Sequence, residues 1–261
     1  MGALLRFEFR KLLRNKALYI CLGICIFLLV INTITLKVVA DVSKEMLEEA
    51  YAGMNMSFES SFSALSMIKS TFSSNTAIIE GVIVAILICE DFAGDIIKNI
   101  YSKGYTRTQV FFAKMISSFT AFIGILLSGM IISFVLGVAL SGKVGSVGEN
   151  YAWSLVCILL VSIAYFMIYF TISMGFRKIA PSILLSILGP TGVSIVLILI
   201  NLFIKNENVV LTDYWISGVM TNLTYVDVER KALIVSVIMS IVIIVGFGSL
   251  AFLIDNKRDA K

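Results

Sequence analysis

The chain has 261 residues, 59% of them hydrophobic and 15% charged, with a formal net charge of +4 and a mean hydropathy of +0.97. A soluble domain carries roughly 45–50% apolar and about 25% charged residues, so a water-soluble fold has no interior large enough for this excess. Histidine is absent, which removes the usual general base, the Ser-His and Cys-His dyads and most zinc or haem sites. The small positive excess reads as membrane sidedness, with no nucleic-acid groove.

At the N-terminus, Leu5, Phe9, Leu12 and Leu13 recur at helical spacing, while Arg6, Arg10 and Arg14 form a second stripe beside Lys11. Residues 1–16 are therefore expected to form an amphipathic elbow helix on the inner membrane surface, guanidiniums among anionic headgroups. The segment reads either as a plain positive-inside anchor or as an elbow that also touches a cytosolic partner. No small-residue cleavage site follows the first apolar run, so that run is expected to stay as a membrane span.

Spanning a ~30 Å hydrocarbon core takes about 20 apolar residues. Six stretches qualify, at about 17–36, 72–89, 113–140, 153–175, 182–204 and 232–254. The second is interrupted by Glu80, and the third is long enough to tilt or to extend beyond the bilayer. The expected fold class is an all-α polytopic membrane protein of one transmembrane domain. Of the 21 Lys and Arg residues, 14 fall on the side of both termini and seven on the other; ten of the 17 acids lean the opposite way. The positive-inside rule then places both termini in the cytoplasm. Cys21, Cys25, Cys89 and Cys157 lie within or beside apolar runs and read as free packing thiols.

Two segments expected outside, 41–71 and 206–231, are too long for plain turns. The first holds a helix-forming run, Ser43 to Ala50, with Ser43 as a candidate N-cap. The second holds Tyr214 and Trp215, aromatics suited to an interface. Asn55-Met-Ser57 and Asn222-Leu-Thr224 match the glycosylation sequon by pattern only.

The cytosolic loop at 90–112 is the most informative. Phe92, Ile96, Ile97, Ile100 and Tyr101 mark one helical face, Gly104 suits the position after a helix end, and Thr106-Arg107-Thr108 reads as the cap of the third span. Acids come first (Glu90, Asp91, Asp95) and bases later (Lys98, Lys103), as a helix dipole prefers. The apolar face needs a place to bury: either its own inner helix ends or a groove on a separate subunit.

Two intramembrane features stand out. Glu80 lies nine residues before Cys89, about 13–14 Å along a helix, near mid-membrane unless the span is shifted outward and the carboxyl snorkels to water. Pro190, in Gly189-Pro-Thr-Gly192, predicts a kink that is either structural or lines a cavity. Ser128, Gly129, Ser133 and Gly137 suit close helix packing.

The layout resembles the permease subunits of type 2 ATP-binding-cassette (ABC) transporters, in their export and peptide-antibiotic-immunity branch. The resemblance rests on Phe7-Glu-Phe-Arg-Lys-Leu-Leu-Arg14 before the first span and on the loop from Glu90 through Gly94-Asp-Ile-Ile-Lys-Asn-Ile-Tyr-Ser-Lys-Gly-Tyr-Thr-Arg107 to Lys114. It implies that Asp91–Ser102 is a coupling helix docking on an ATPase subunit through Glu90, Asp91, Asp95, Ile96, Ile97, Ile100, Tyr101 and Arg107. It also implies short re-entrant or interfacial helices before the sixth span. The partners it implies are an ABC ATP-binding subunit, in two copies, and a second copy or a sibling permease.

No G-x-x-x-x-G-K-[ST] occurs, so no catalytic residue and no cofactor is expected here; ATP and magnesium belong on the partner. The expected function is that of an ABC exporter permease in a bacterial plasma membrane, with an antimicrobial or amphipathic peptide as cargo, and with Glu80 and Pro190 as candidates for the pathway. Efflux of sodium, drug or lipid, a gradient-driven secondary transporter, and a non-transporting anchor or sensor subunit are the alternatives.

Overall fold

The computed structural model describes residues 1–50, 62–72, 74–94, 96–145, 150–204, 210–225 and 228–257. Among them are ten α-helices, one 3₁₀ turn and no strand. The helices are α1 (Gly2–Arg14), α2 (Lys16–Ala50), α3 (Ala64–Ser70), α4 (Ser74–Ala93), α5 (Ile96–Ser102), α6 (Arg107–Ser141), α7 (Tyr151–Phe176), α8 (Ile179–Ile204), α9 (Ile216–Thr224) and α10 (Arg230–Lys257), with the 3₁₀ turn at Leu211–Tyr214.

Five of these, α2, α6, α7, α8 and α10, are long and apolar enough to cross a membrane. They occupy five of the six stretches expected from the sequence. The remaining stretch, 72–89, overlaps α4, which carries Glu80, Glu90 and Asp91 within its 20 residues.

The most enclosed of the five is α7, with 61% of its most apolar stretch buried against 11% in α8. Its Phe166, Tyr169 and Phe170 pack with Val84 and Ile88 of α4 and Phe122 of α6. On the other side of α4, Ile83 meets Cys21, Cys25 and Leu29 of α2 and Ile125 of α6. Thus α4 and α7 form the centre, and α2, α6, α8 and α10 turn apolar rows outward; Phe203, for example, is 87% exposed. Such rows need a lipid or protein cover. All four cysteines are unpaired and buried.

Several boundaries differ from the expectation. The first span and the Ser43 run are one continuous helix, and Ser43 Oγ donates back to the Val39 carbonyl at 2.7 Å, so Ser43 is no cap. The expected helix over Asp91–Ser102 is two pieces: Asp91 lies in the last turn of α4, which ends at Ala93, and α5 starts at Ile96. The acids Glu90 and Asp91 therefore sit at a C-terminal helix end, where the dipole disfavours them. No break in α8 occurs at Pro190. Of the two sequons, 55–57 lies outside the described residues, and Asn222 falls in α9. Two local signals hold: Gly104 adopts φ +85, and Thr106 and Gln109 form a reciprocal capping box on α6.

The small residues of α6 serve α3. A Cβ on Gly137 would lie 2.7 Å from Ala64 Cα, and one on Gly129 would lie 3.1 Å from Thr71. Gly129 is twelve residues below the Ser141 end of α6, about 18 Å. The segment from Ala64 to Thr71 therefore folds back well into the bundle. Gly137→Ala is expected to destabilise the protein by about 1–3 kcal/mol through overpacking. Gly124→Ala, with nothing within 4 Å of its new Cβ, should be neutral or stabilising. Thermal unfolding of the two purified variants in detergent checks the contrast.

Candidate functional site

At the end of the bundle that carries the N-terminus, three helices bring four charges together. Glu8 and Lys11 project from α1, Asp91 from the last turn of α4, and Lys114 from the second turn of α6. Glu8, Asp91 and Lys114 are 5%, 2% and 3% exposed. The carboxylate of Asp91 takes Lys11 on one oxygen and Lys114 on the other. Glu8 Oε1 stands 3.9 Å from Lys114 Nζ. Two acids and two bases thus cancel in a place with little water. Unpaired, any one of them would carry a large desolvation cost.

Neighbouring groups lock this core. Asn15, between α1 and α2, donates to Glu90 at 2.7 Å and accepts from the Ala17 backbone N–H at 2.9 Å. Ser117 and Ser118 donate to the Lys114 carbonyl. A cavity of about 20 Å³ between Glu8, Lys11, Asn15 and Ser117 has room for one water molecule. Arg177, at the end of α7, donates to Asp255 of α10 at 3.1 Å. The Phe92 ring joins the two ionic groups, with Arg177 4.8 Å and Lys114 5.9 Å from its centroid. Burial, followed by the nearby Lys114, lowers the Lys11 pKa below the ordinary lysine value, while Glu8 and Glu90 oppose this. Burial likewise raises the Tyr101 phenol, and Asp255 adds to it against Arg107 and Arg177. Tyr101 of α5 therefore lies within electrostatic reach of the Arg177–Asp255 pair.

The sequence-derived residues divide by this geometry. In α5, Ile97 and Ile100 are 4% and 6% exposed, and Ile100 packs with Leu4 of α1 and Val110 and Ala113 of α6. Ile96 and Tyr101 are half-buried beside them. The apolar face of α5 is covered by its own chain, and the face left open carries Lys98, Asn99 and Ser102, followed by Lys103. Glu90 and Arg107 are exposed, Asp91 is buried, and Asp95 lies outside the described residues. On α1, Arg6, Arg10 and Arg14 are exposed, as expected, while Lys11 turns inward. The buried stripe is Leu4, Glu8 and Leu12, and Leu13 is 64% exposed. Glu80 and Pro190 belong to neither ionic group.

Sequence reasoning passed over Glu8, Asn15 and the Arg177–Asp255 pair, and took Lys114 only as the close of a motif. Two signals were present. Glu8 is the lone acid in a basic segment, and Lys114 is a lone charge in the apolar run from Val110 to Ala121.

An all-helical bundle with five long apolar helices and an ionic core at one end defines a multi-pass membrane protein. The chain matches the family model described as ABC-2 family transporter protein over residues 4–201, and it belongs to that family. No curated protein and no solved structure matches it. Membership makes it a permease of an ABC transporter and implies an ATP-binding partner subunit in general.

Asp91→Asn is expected to cost about 3–5 kcal/mol of stability, because it strands the buried Lys114 and the half-buried Lys11. Combined with Lys114→Met, the loss should be clearly smaller than the sum of the single losses. Denaturation of the four proteins of this cycle in detergent measures the coupling; additive losses would show that the groups act independently.

Proposed function

We propose that this chain is the permease subunit of an ABC exporter, in which a separate ATP-binding subunit docks on the open face of α5. The supporting observation is mechanical. α5 is seven residues long, too short to hold itself as an isolated helix. It is fixed by Leu4 of α1 and Val110 of α6, the same two helices that the Glu8–Lys11–Asp91–Lys114 core binds to α4. A push on Lys98, Asn99, Ser102 or Lys103 is thereby delivered to α4 and α6 through the packing on Leu4 and Val110 and through the ionic core. In this reading α4 is the second of six spans, both termini face the cytoplasm, and α1 is the elbow helix whose exposed arginines meet anionic headgroups.

The nucleotide and magnesium are held by the partner, and two permeases with two ATPase subunits complete the transporter in the plasma membrane of a bacterium. The cargo is an amphipathic or antimicrobial peptide, in keeping with the acidic excess in the loops assigned to the outer side.

Asn99→Glu combined with Lys103→Glu should reduce copurification of the ATPase subunit and coupled ATP hydrolysis at least fivefold, with the permease still folded. Unchanged binding would count against docking at α5. Sidedness is read separately. With the four native cysteines replaced by alanine, a thiol at position 99 should react with a membrane-impermeant maleimide only after cells are permeabilised. Labelling in intact cells would overturn the assignment.

A further inference from the structure

Glu80 lies eleven residues before Asp91 on the same helix, about 16 Å from the ionic core along the axis. Tyr165 lies eleven residues before the Phe176 end of α7, at a matching depth. If the ionic core marks one edge of a ~30 Å hydrocarbon layer, both side chains sit near its middle. The reading of Glu80 as a boundary carboxyl that snorkels to water does not fit this register.

The surroundings are those of a site. Glu80 is 9% exposed, and among the described residues no cation and no hydrogen-bond donor pairs with its carboxyl. Tyr165, Tyr169 and Cys25 are within electrostatic reach of it. The two tyrosine rings stand 5.9 Å apart, inclined by 30°, and are 3% and 1% exposed. Beside Gly81, the next residue of α4, stands an unsatisfied polar atom of α8. Ser186 Oγ of α8 is buried with no hydrogen-bond partner, and its Cβ lies 3.1 Å from where a Cβ on Gly81 would stand. The Tyr169 ring approaches the same point to 3.0 Å, so α4, α7 and α8 pack in close contact at position 81, next to Glu80.

A carboxyl at this depth with no partner among the described residues of its own chain is a candidate functional site. We propose that Glu80, backed by Tyr165 and Tyr169, is a mid-membrane binding site for an ammonium or guanidinium group carried by the transported molecule. The carboxylate supplies the charge, and the aromatic rings favour an organic cation. A bare inorganic cation fits less well, because it calls for a shell of six or more hard oxygens. This inference deepens the permease reading and rests on it for the identity of the visitor.

A hydrophobic carbodiimide, which reacts with carboxyls reachable from the hydrocarbon, tests the site in the full chain held in phospholipid nanodiscs. The reagent should modify Glu80, and Glu80→Gln should abolish that adduct in the peptide map. An amphipathic helical peptide bearing four lysines should slow the modification at least fivefold, and the same peptide with glutamine at those positions should not. Equal protection by both peptides, protection by millimolar sodium alone, or no reaction at Glu80 would each overturn the proposal. The competition uses the unsubstituted protein, so a folding defect in the variant does not affect it. The readout needs no ATPase subunit. Protection without ATPase docking would therefore sink the permease reading alone, and docking without protection would sink the site alone.

Discussion

A carboxylate buried at the C-terminal end of a helix faces two penalties, lost water and an adverse dipole. Asp91 meets both, and the protein offsets them with two lysines drawn from two other helices. That requirement orders much of the structure around it. It turns Lys11, and with it the Leu4–Glu8–Leu12 stripe of α1, toward the bundle. It seats α6 with Lys114 inward, which places Val110 and Ala113 where α5 can cover them. An apolar core of the same volume could be as stable. It would not specify so sharply which helix ends must meet, because apolar contacts have no direction.

Much of this was legible from local sequence. The long apolar runs, the left-handed glycine after α5 and the capping box on α6 each depend on a few consecutive residues, and each stands where the pattern put it. What was not legible depends on partners remote in sequence. Glu8 reads as a surface acid until Lys114, over a hundred residues on, comes beside it. Ser43 reads as a cap because serine competes well for helix starts, yet it also fits inside a helix by bonding back one turn. The break between α4 and α5 was missed because the isoleucines of α5 continue the periodicity of the helix before it. The period reports a face and not an end.

The half of the bundle away from the ionic core is filled in part by two stretches that the sequence assigns to the outer side of the membrane. The one ending in α3 contributes buried Ala64 and Met67, and the one holding α9 contributes Ile216, Val219 and Leu223. They are fastened to each other as well. Lys69 of α3, 2% exposed, donates to the Tyr225 carbonyl just after α9 at 2.9 Å and stacks over the Tyr151 ring. Gly129 and Gly137 of α6 leave the room that the segment from Ala64 to Thr71 occupies.

Pro190 has no N–H to give to its own helix. Its carbonyl, fourteen residues from the far end of α8, accepts from Ser194 Oγ at 2.9 Å and from the Trp215 indole at 3.0 Å, and Ser194 meets Ser217 at 2.6 Å one turn away. The Trp215 and Ser217 bonds bolt the hairpin that precedes α10 to the waist of α8, about 20 Å below that helix's tip. Neither piece can swing without carrying the other or shearing both bonds. The hairpin is thus a rigid outrigger of α8, not a hinged flap.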